Sequence, residues 1–96
     1  MLFVIEARDK PGALEVRLAA RPDHVAYLEG LGERLVLAGP FLDDNEKPCG
    51  SLVIIKAESL EDAKEIAGRD PYVGAGLFAS SEVRRWNWAI NRPEDI

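Results

Sequence analysis

His24 is the sole histidine of the chain, and imidazole is the side chain whose ordinary pKa lets it give and take protons near neutrality. That makes it the natural general acid or base; the alternative is a histidine at the surface or at a helix cap. Asp70 stands before Pro71, and an Asp-Pro step often opens a turn in which the carboxylate accepts backbone N–H groups. In contact with His24, the same carboxylate would also fix the imidazole tautomer and raise its basicity. Such a pair suits proton transfer on a small organic molecule, an elimination or an isomerisation, chemistry that calls for no cofactor.

Tyr27 follows His24 by three positions and would sit beside it on a helix, while Tyr72 follows Asp70 by two. Either hydroxyl could hydrogen-bond a substrate, or belong to a half-buried aromatic with a partner of its own. Arg17 precedes His24 by seven positions, so on an unbroken helix it shares the same face and could hold an anionic substrate; otherwise it is a solvated or salt-bridged arginine. Gly39 and Pro40, with Gly74 and Gly76, would let backbone N–H groups approach a ligand at the pocket, but they serve turns equally well. Their spacing is not a dinucleotide fingerprint, which sets its glycines between a strand and a helix. The run Asp43, Asp44, Asn45, Glu46 lacks the alternating ligands of a calcium loop and reads as a solvated hairpin, so no metal is expected. Cys49 has no sequence neighbour that would activate its thiol.

Positioning these side chains requires a folded core. With 96 residues, 47% of them hydrophobic and 30% charged, the chain suits a single soluble domain over 1–96. The net charge of −5 argues against nucleic acid or anionic membrane surfaces as partners. A single cysteine excludes an internal disulfide and fits a reducing cytoplasm. The short N-terminal apolar run, broken by Glu6, Arg8 and Asp9, resembles neither a leader peptide nor a membrane span.

Met1 to Arg8 reads as a strand closed by the turn formers Asp9 to Gly12. Leu14, Leu18, Val25, Leu28 and Leu31 recur on one helical stripe between Ala13 and Leu31, with Pro22 expected to divide the helix into two joined segments. Arg34 to Ala38 is a strand ending at Gly39-Pro40, and it forms a hairpin with a buried strand over Ser51 to Lys56. Ser59 caps a second helix whose stripe Leu60, Ala63, Ile66, Ala67 stops at Gly68. Gly76 to Trp88 is the last strand, and 91–96 form a short polar tail. The order βαββαβ gives an α+β, ferredoxin-like antiparallel sheet with both helices on one face. Trp86 and Trp88, two apart in a strand, would share the other face and suit a homodimer with sheets packed face to face.

Five segments together resemble the YCII-related (YciI-like) family of small bacterial proteins: Leu14 to Leu18, His24 with Leu28, Leu37 to Pro40, Ser59 to Ala63, and Asp70-Pro71-Tyr72 with Ala75 to Leu77. The resemblance covers nearly the whole chain. It implies a ferredoxin-like subunit paired into a dimeric α+β barrel, with an active-site histidine and aspartate that fall on His24 and Asp70. It also implies kinship with enzymes that remove HCl from chlorinated hydroxyquinols and, more distantly, with muconolactone isomerases. Pro22 departs from the usual pattern and bears on local helix geometry. A non-catalytic dimeric module that binds a small ligand is the alternative function.

Overall fold

In the computed structural model, which describes residues 1–96, the strands are β1 (Leu2–Asp9), β2 (Leu35–Leu42), β3 (Pro48–Lys56) and β4 (Phe78–Trp86). The helices are α1 (Leu14–Gly30), α2 (Leu60–Gly68) and the single turn α3 (Pro71–Gly74). The four strands form one antiparallel sheet in the order β2-β3-β1-β4. This is the ferredoxin-like βαββαβ arrangement, with α3 added before the last strand.

Alternation along each strand divides the sheet into two faces. Phe3, Val53 and Ile55 turn toward the helices and join Leu28 and Leu31 at the end of α1 and Ala63 of α2 in one buried cluster. The opposite face carries Val4, Leu52, Ile54, Leu37 and Trp86, which follow one another across the strand pairings. No helix is long and apolar enough to cross a membrane.

Several boundaries differ from those expected. The first helix is one element that runs through Pro22. Arg21, Pro22 and Asp23 are exposed, and so is Leu18, so the carbonyl that loses its N–H partner faces water and the cost stays small. The buried stripe of α1 is also rotated from the apolar one: Arg17, His24 and Leu28 are buried, whereas Leu18 is 54% exposed. Two polar residues occupy the inward line because each finds a buried partner there.

The second strand continues through Gly39-Pro40 to Leu42. It is an edge strand, where the missing N–H of a proline leaves no ladder bond unmade. Its partner β3 accordingly begins at Pro48 rather than Ser51. At the other edge, β4 ends at Trp86 because that residue pairs with Leu2, where β1 begins. Trp88 therefore lies beyond the strand, although its ring still meets that of Trp86 at 5.6 Å. Gly76 has φ of +70°, a left-handed turn residue ahead of β4 rather than its first strand position. Helix α2 matches expectation: the Ser59 hydroxyl accepts the Asp62 N–H at 3.1 Å.

Candidate active site

Asp70 caps α3. Its carboxylate accepts the Tyr72 N–H at 2.9 Å, and Pro71 occupies the first helical position, where a missing N–H costs nothing. The same carboxylate faces His24 Nδ1, at 2.8 Å through Oδ1 and 2.9 Å through Oδ2. Both side chains are only 11% exposed. A carboxylate only accepts, so Nδ1 donates and the neutral ring presents an unprotonated Nε2.

Tyr72, 1% exposed, is delivered by α3 against α1. Its ring stacks on the His24 imidazole with centroids 3.9 Å apart and planes within 14°, and the Arg17 guanidinium lies 4.7 Å from its centroid. Arg17 and His24 stand two helical turns apart, about 10 Å, and Tyr72 fills the space between them. Phe78 closes the assembly edge-on at 5.9 Å.

Arg17 is buried with partners of its own. Its Nε and Nη2 donate to the two Asp9 oxygens at 2.7 and 3.0 Å, and Nη2 also donates to Ser51 Oγ at 2.7 Å. The pairing of β1 with β4 shifts register between Arg8 and Asp9, the kind of bulge that re-aims a side chain. Burial alone would lower the Arg17 pKa; the hydrogen bond and charge of Asp9 outweigh it and leave the pKa raised. Burial raises the Tyr72 hydroxyl, the nearby Arg17 charge pulls partly against it, and the net direction is up.

The sequence candidates thus divide. His24, Asp70, Tyr72 and Arg17 converge. Tyr27 instead donates its hydroxyl to the Ile66 carbonyl near the end of α2 at 2.7 Å, and its pKa is raised by burial first and by the Asp70 charge second. Gly39 and Pro40 are exposed in β2, paired with Leu52 and Ser51. Gly74 is the last residue of α3, and Gly76 lies in the turn that follows it. Asp9 and Ser51 were not singled out by sequence: Asp9 lay among turn formers, and a strand serine carries no signal of its own.

Between α1, α2 and the sheet lies a cavity of about 20 Å³ lined by Tyr27, Leu28, Ser51, Ile66, Asp70 and Phe78 among others, enough for one water. It touches the carboxylate side of the His24–Asp70 pair.

The model of the YCII-related domain matches residues 1–87. The chain belongs to the YCII-related family. It is 45% identical to Protein YciI of Escherichia coli, the match covering 88% of this chain and 94% of that one. An uncharacterized protein of Haemophilus influenzae is also 45% identical, with the same coverage. Among solved structures, this YCII-related chain is similar to the 5-chloro-2-hydroxyhydroquinone dehydrochlorinase TftG of Burkholderia phenoliruptrix, in complex with 2,5-dihydroxybenzoquinone. That match has a TM-score of 0.83 and 39% identity, and covers 91% of this chain and 94% of that one. A cofactor-independent oxygenase of Streptomyces nogalater, SnoaB, matches with a TM-score of 0.60 at 6% identity over 95% of this chain and 97% of that one, and shares the fold alone.

Proposed function

We propose that His24 and Asp70 form a proton-transfer site that acts on a small organic molecule by elimination or isomerisation. The observation that carries this reading is the contact of His24 Nδ1 with both Asp70 oxygens, at 2.8 and 2.9 Å, which leaves Nε2 as the working atom. Asp70 orients the ring and remains the hydrogen-bond acceptor of Nδ1 as Nε2 takes up the proton. Tyr72 stacks on the imidazole and limits its rotation. The likeness to TftG supports the same direction, since dehydrochlorination removes a proton together with chloride. The reaction needs no cofactor, because the proton and the leaving group carry the whole change.

The same contact of His24 with Asp70 also serves a second reading, a module that binds a small ligand through the imidazole Nε2 as a hydrogen-bond acceptor without turning it over. In either case we place a second copy of the chain on the apolar sheet face of Val4, Leu37, Leu52, Ile54 and Trp86. A single domain of this size leaves much of its surface in water, and a homodimer relieves that.

A screen of hydroxylated, halogenated and lactone ring compounds against the protein and its His24→Ala variant tests the proposal. Turnover that disappears in the variant supports it. Turnover unchanged in the variant excludes His24 as the proton carrier, and binding without turnover favours the second reading.

A further inference from the structure

Ser51 is 6% exposed and shares the helix-facing side of β3 with Val53 and Ile55. Its one hydrogen bond is the donation it accepts from Arg17 Nη2 at 2.7 Å. A hydroxyl also has a proton to give, and no group of the protein receives it. A buried O–H without an acceptor is disfavoured. Ser51 lines the cavity of about 20 Å³ between α1, α2 and the sheet, which has room for a water. Two acceptors line the same cavity. Asp70 takes the Tyr72 N–H on Oδ1 and shares the His24 Nδ1–H between Oδ1 and Oδ2, which leaves acceptor capacity on the carboxylate. Tyr27 Oη gives its proton to the Ile66 carbonyl and can still accept another. The Tyr27 pKa, raised by burial first and by the Asp70 charge second, puts these two groups within electrostatic reach of each other.

We infer that the cavity holds one water, which accepts the Ser51 proton and donates to Asp70 and to Tyr27 Oη. A buried water typically makes about three hydrogen bonds, and these partners supply that number. Leu28, Ile66 and Phe78 line the cavity with apolar surface, which keeps the water against its polar partners. Ser81 lines it too but is exposed on β4, so solvent serves its hydroxyl. The water joins two buried ion pairs into one network. Asp9 and Arg17 reach as far as Ser51, and the water carries the chain on to Asp70 and His24. Ser51 is thereby a positioning residue for the imidazole, because it holds the water that gives Asp70 a third fixed donor beside the Tyr72 N–H and Nδ1–H. A carboxylate held on three sides keeps its plane, and the tautomer that exposes Nε2 with it. Occupancy of the cavity stands apart from the proton-transfer reading of His24; any effect of Ser51 on turnover rests on that reading.

A crystal structure of the unaltered protein at atomic resolution is expected to show an ordered water within about 3.2 Å of both Ser51 Oγ and an Asp70 oxygen. In solution, oxygen-17 relaxation dispersion is expected to count one long-lived water fewer in Ser51→Ala than in the parent. The Nδ1 proton of the only histidine is expected to exchange with solvent about tenfold faster in that variant. Ser51→Thr keeps the hydroxyl and is expected to restore both the water and the slow exchange. An empty cavity, or a water on Ser51 that does not reach Asp70, overturns the inference, and the parent crystal decides this even if Ser51→Ala does not fold. An equal count of long-lived waters in a folded Ser51→Ala protein also overturns it, whatever the exchange rate, because any change at Nδ1 then runs through Arg17 and Tyr72. A water lost without change at Nδ1 overturns the positioning role. A dry cavity in a protein whose turnover depends on His24 removes this inference and leaves the proton-transfer reading standing. A water lost in Ser51→Ala from a protein without His24-dependent turnover does the reverse.

Discussion

One carboxylate governs the relationship between Tyr72 and His24. Asp70 accepts the Tyr72 N–H at 2.9 Å and holds His24 Nδ1 at 2.8 Å, so the group that starts α3 also sets the imidazole against which the α3 tyrosine stacks at 3.9 Å. The turn-forming role of Asp70 and its contact with the histidine are therefore mechanically one arrangement. Moving the cap would move the ring, and moving the ring would loosen the imidazole.

Asp70→Asn separates the two roles. The amide oxygen can still accept the Tyr72 N–H, so unfolding free energy is expected to stay within about 1 kcal/mol of the parent protein. The amide can also donate to Nδ1, which transfers the ring proton to Nε2 and removes the working acceptor. Nitrogen chemical shifts of the single histidine are expected to report the tautomer change, and turnover of any substrate identified is expected to fall about a hundredfold or more. An unchanged tautomer would show that Asp70 does not set it.

The Asp9–Arg17 pair calls for a different measurement. Their side chains are 6% and 5% exposed, and removing the acid leaves a buried guanidinium without its counter-charge. Asp9→Leu is expected to cost about 3 to 5 kcal/mol in denaturant unfolding. Adding Arg17→Met to it is expected to recover part of that loss, because the stranded charge goes too. A double variant less stable than Asp9→Leu would mean that Arg17 contributes through packing on Tyr72 rather than through its charge.

How much of this was legible in sequence follows from the range of the interactions. Helix α2 announced itself through Ser59 and a local apolar stripe, and the order of strands and helices along the chain followed from hydrophobic runs and turns. The helix face of Arg17 and His24 did not, because an apolar count scores both as outward while their buried partners, Asp9 and Asp70, come from other elements. The end of β4 was misread because its limit is set by Leu2, at the far end of the chain. Pro40 looked like a strand stop because edge position in a sheet cannot be read locally. Tyr72 and Arg17 were singled out by their spacing from Asp70 and His24, but only the fold shows the ring between guanidinium and imidazole.

Alkaline stability follows from the two tyrosines. Burial raises the pKa of Tyr27 and Tyr72 above the ordinary value of 10.0 in the folded chain. Between that value and the folded pKa, the unfolded chain has released protons that the folded chain still holds, so stability is full below about pH 10 and falls as pH rises further. Tyr27→Phe is expected to flatten this loss while costing about 1 kcal/mol at neutral pH from the missing bond to the Ile66 carbonyl. Urea unfolding at pH 7 and above pH 10 checks both signs. A parent protein equally stable at the two values would contradict the burial of these hydroxyls.

The sheet face away from the helices makes the last prediction. Leu37 is 39% exposed and pairs with Ile54, which pairs in turn with Val4, so an apolar band crosses three strands with no helix over it. Glu6 and Arg84 border it, 3.2 Å apart. A second copy would bury the band, and sedimentation at micromolar concentration is expected to give twice the 10.6 kDa chain mass. Leu37→Asp places a charge in that band without touching the core on the other face, and it is expected to yield a folded monomer with an unchanged His24 resonance. A parent protein that sediments as a monomer would remove the second copy from this face. A monomeric variant whose His24 resonance shifts would show instead that the partner subunit shapes the site.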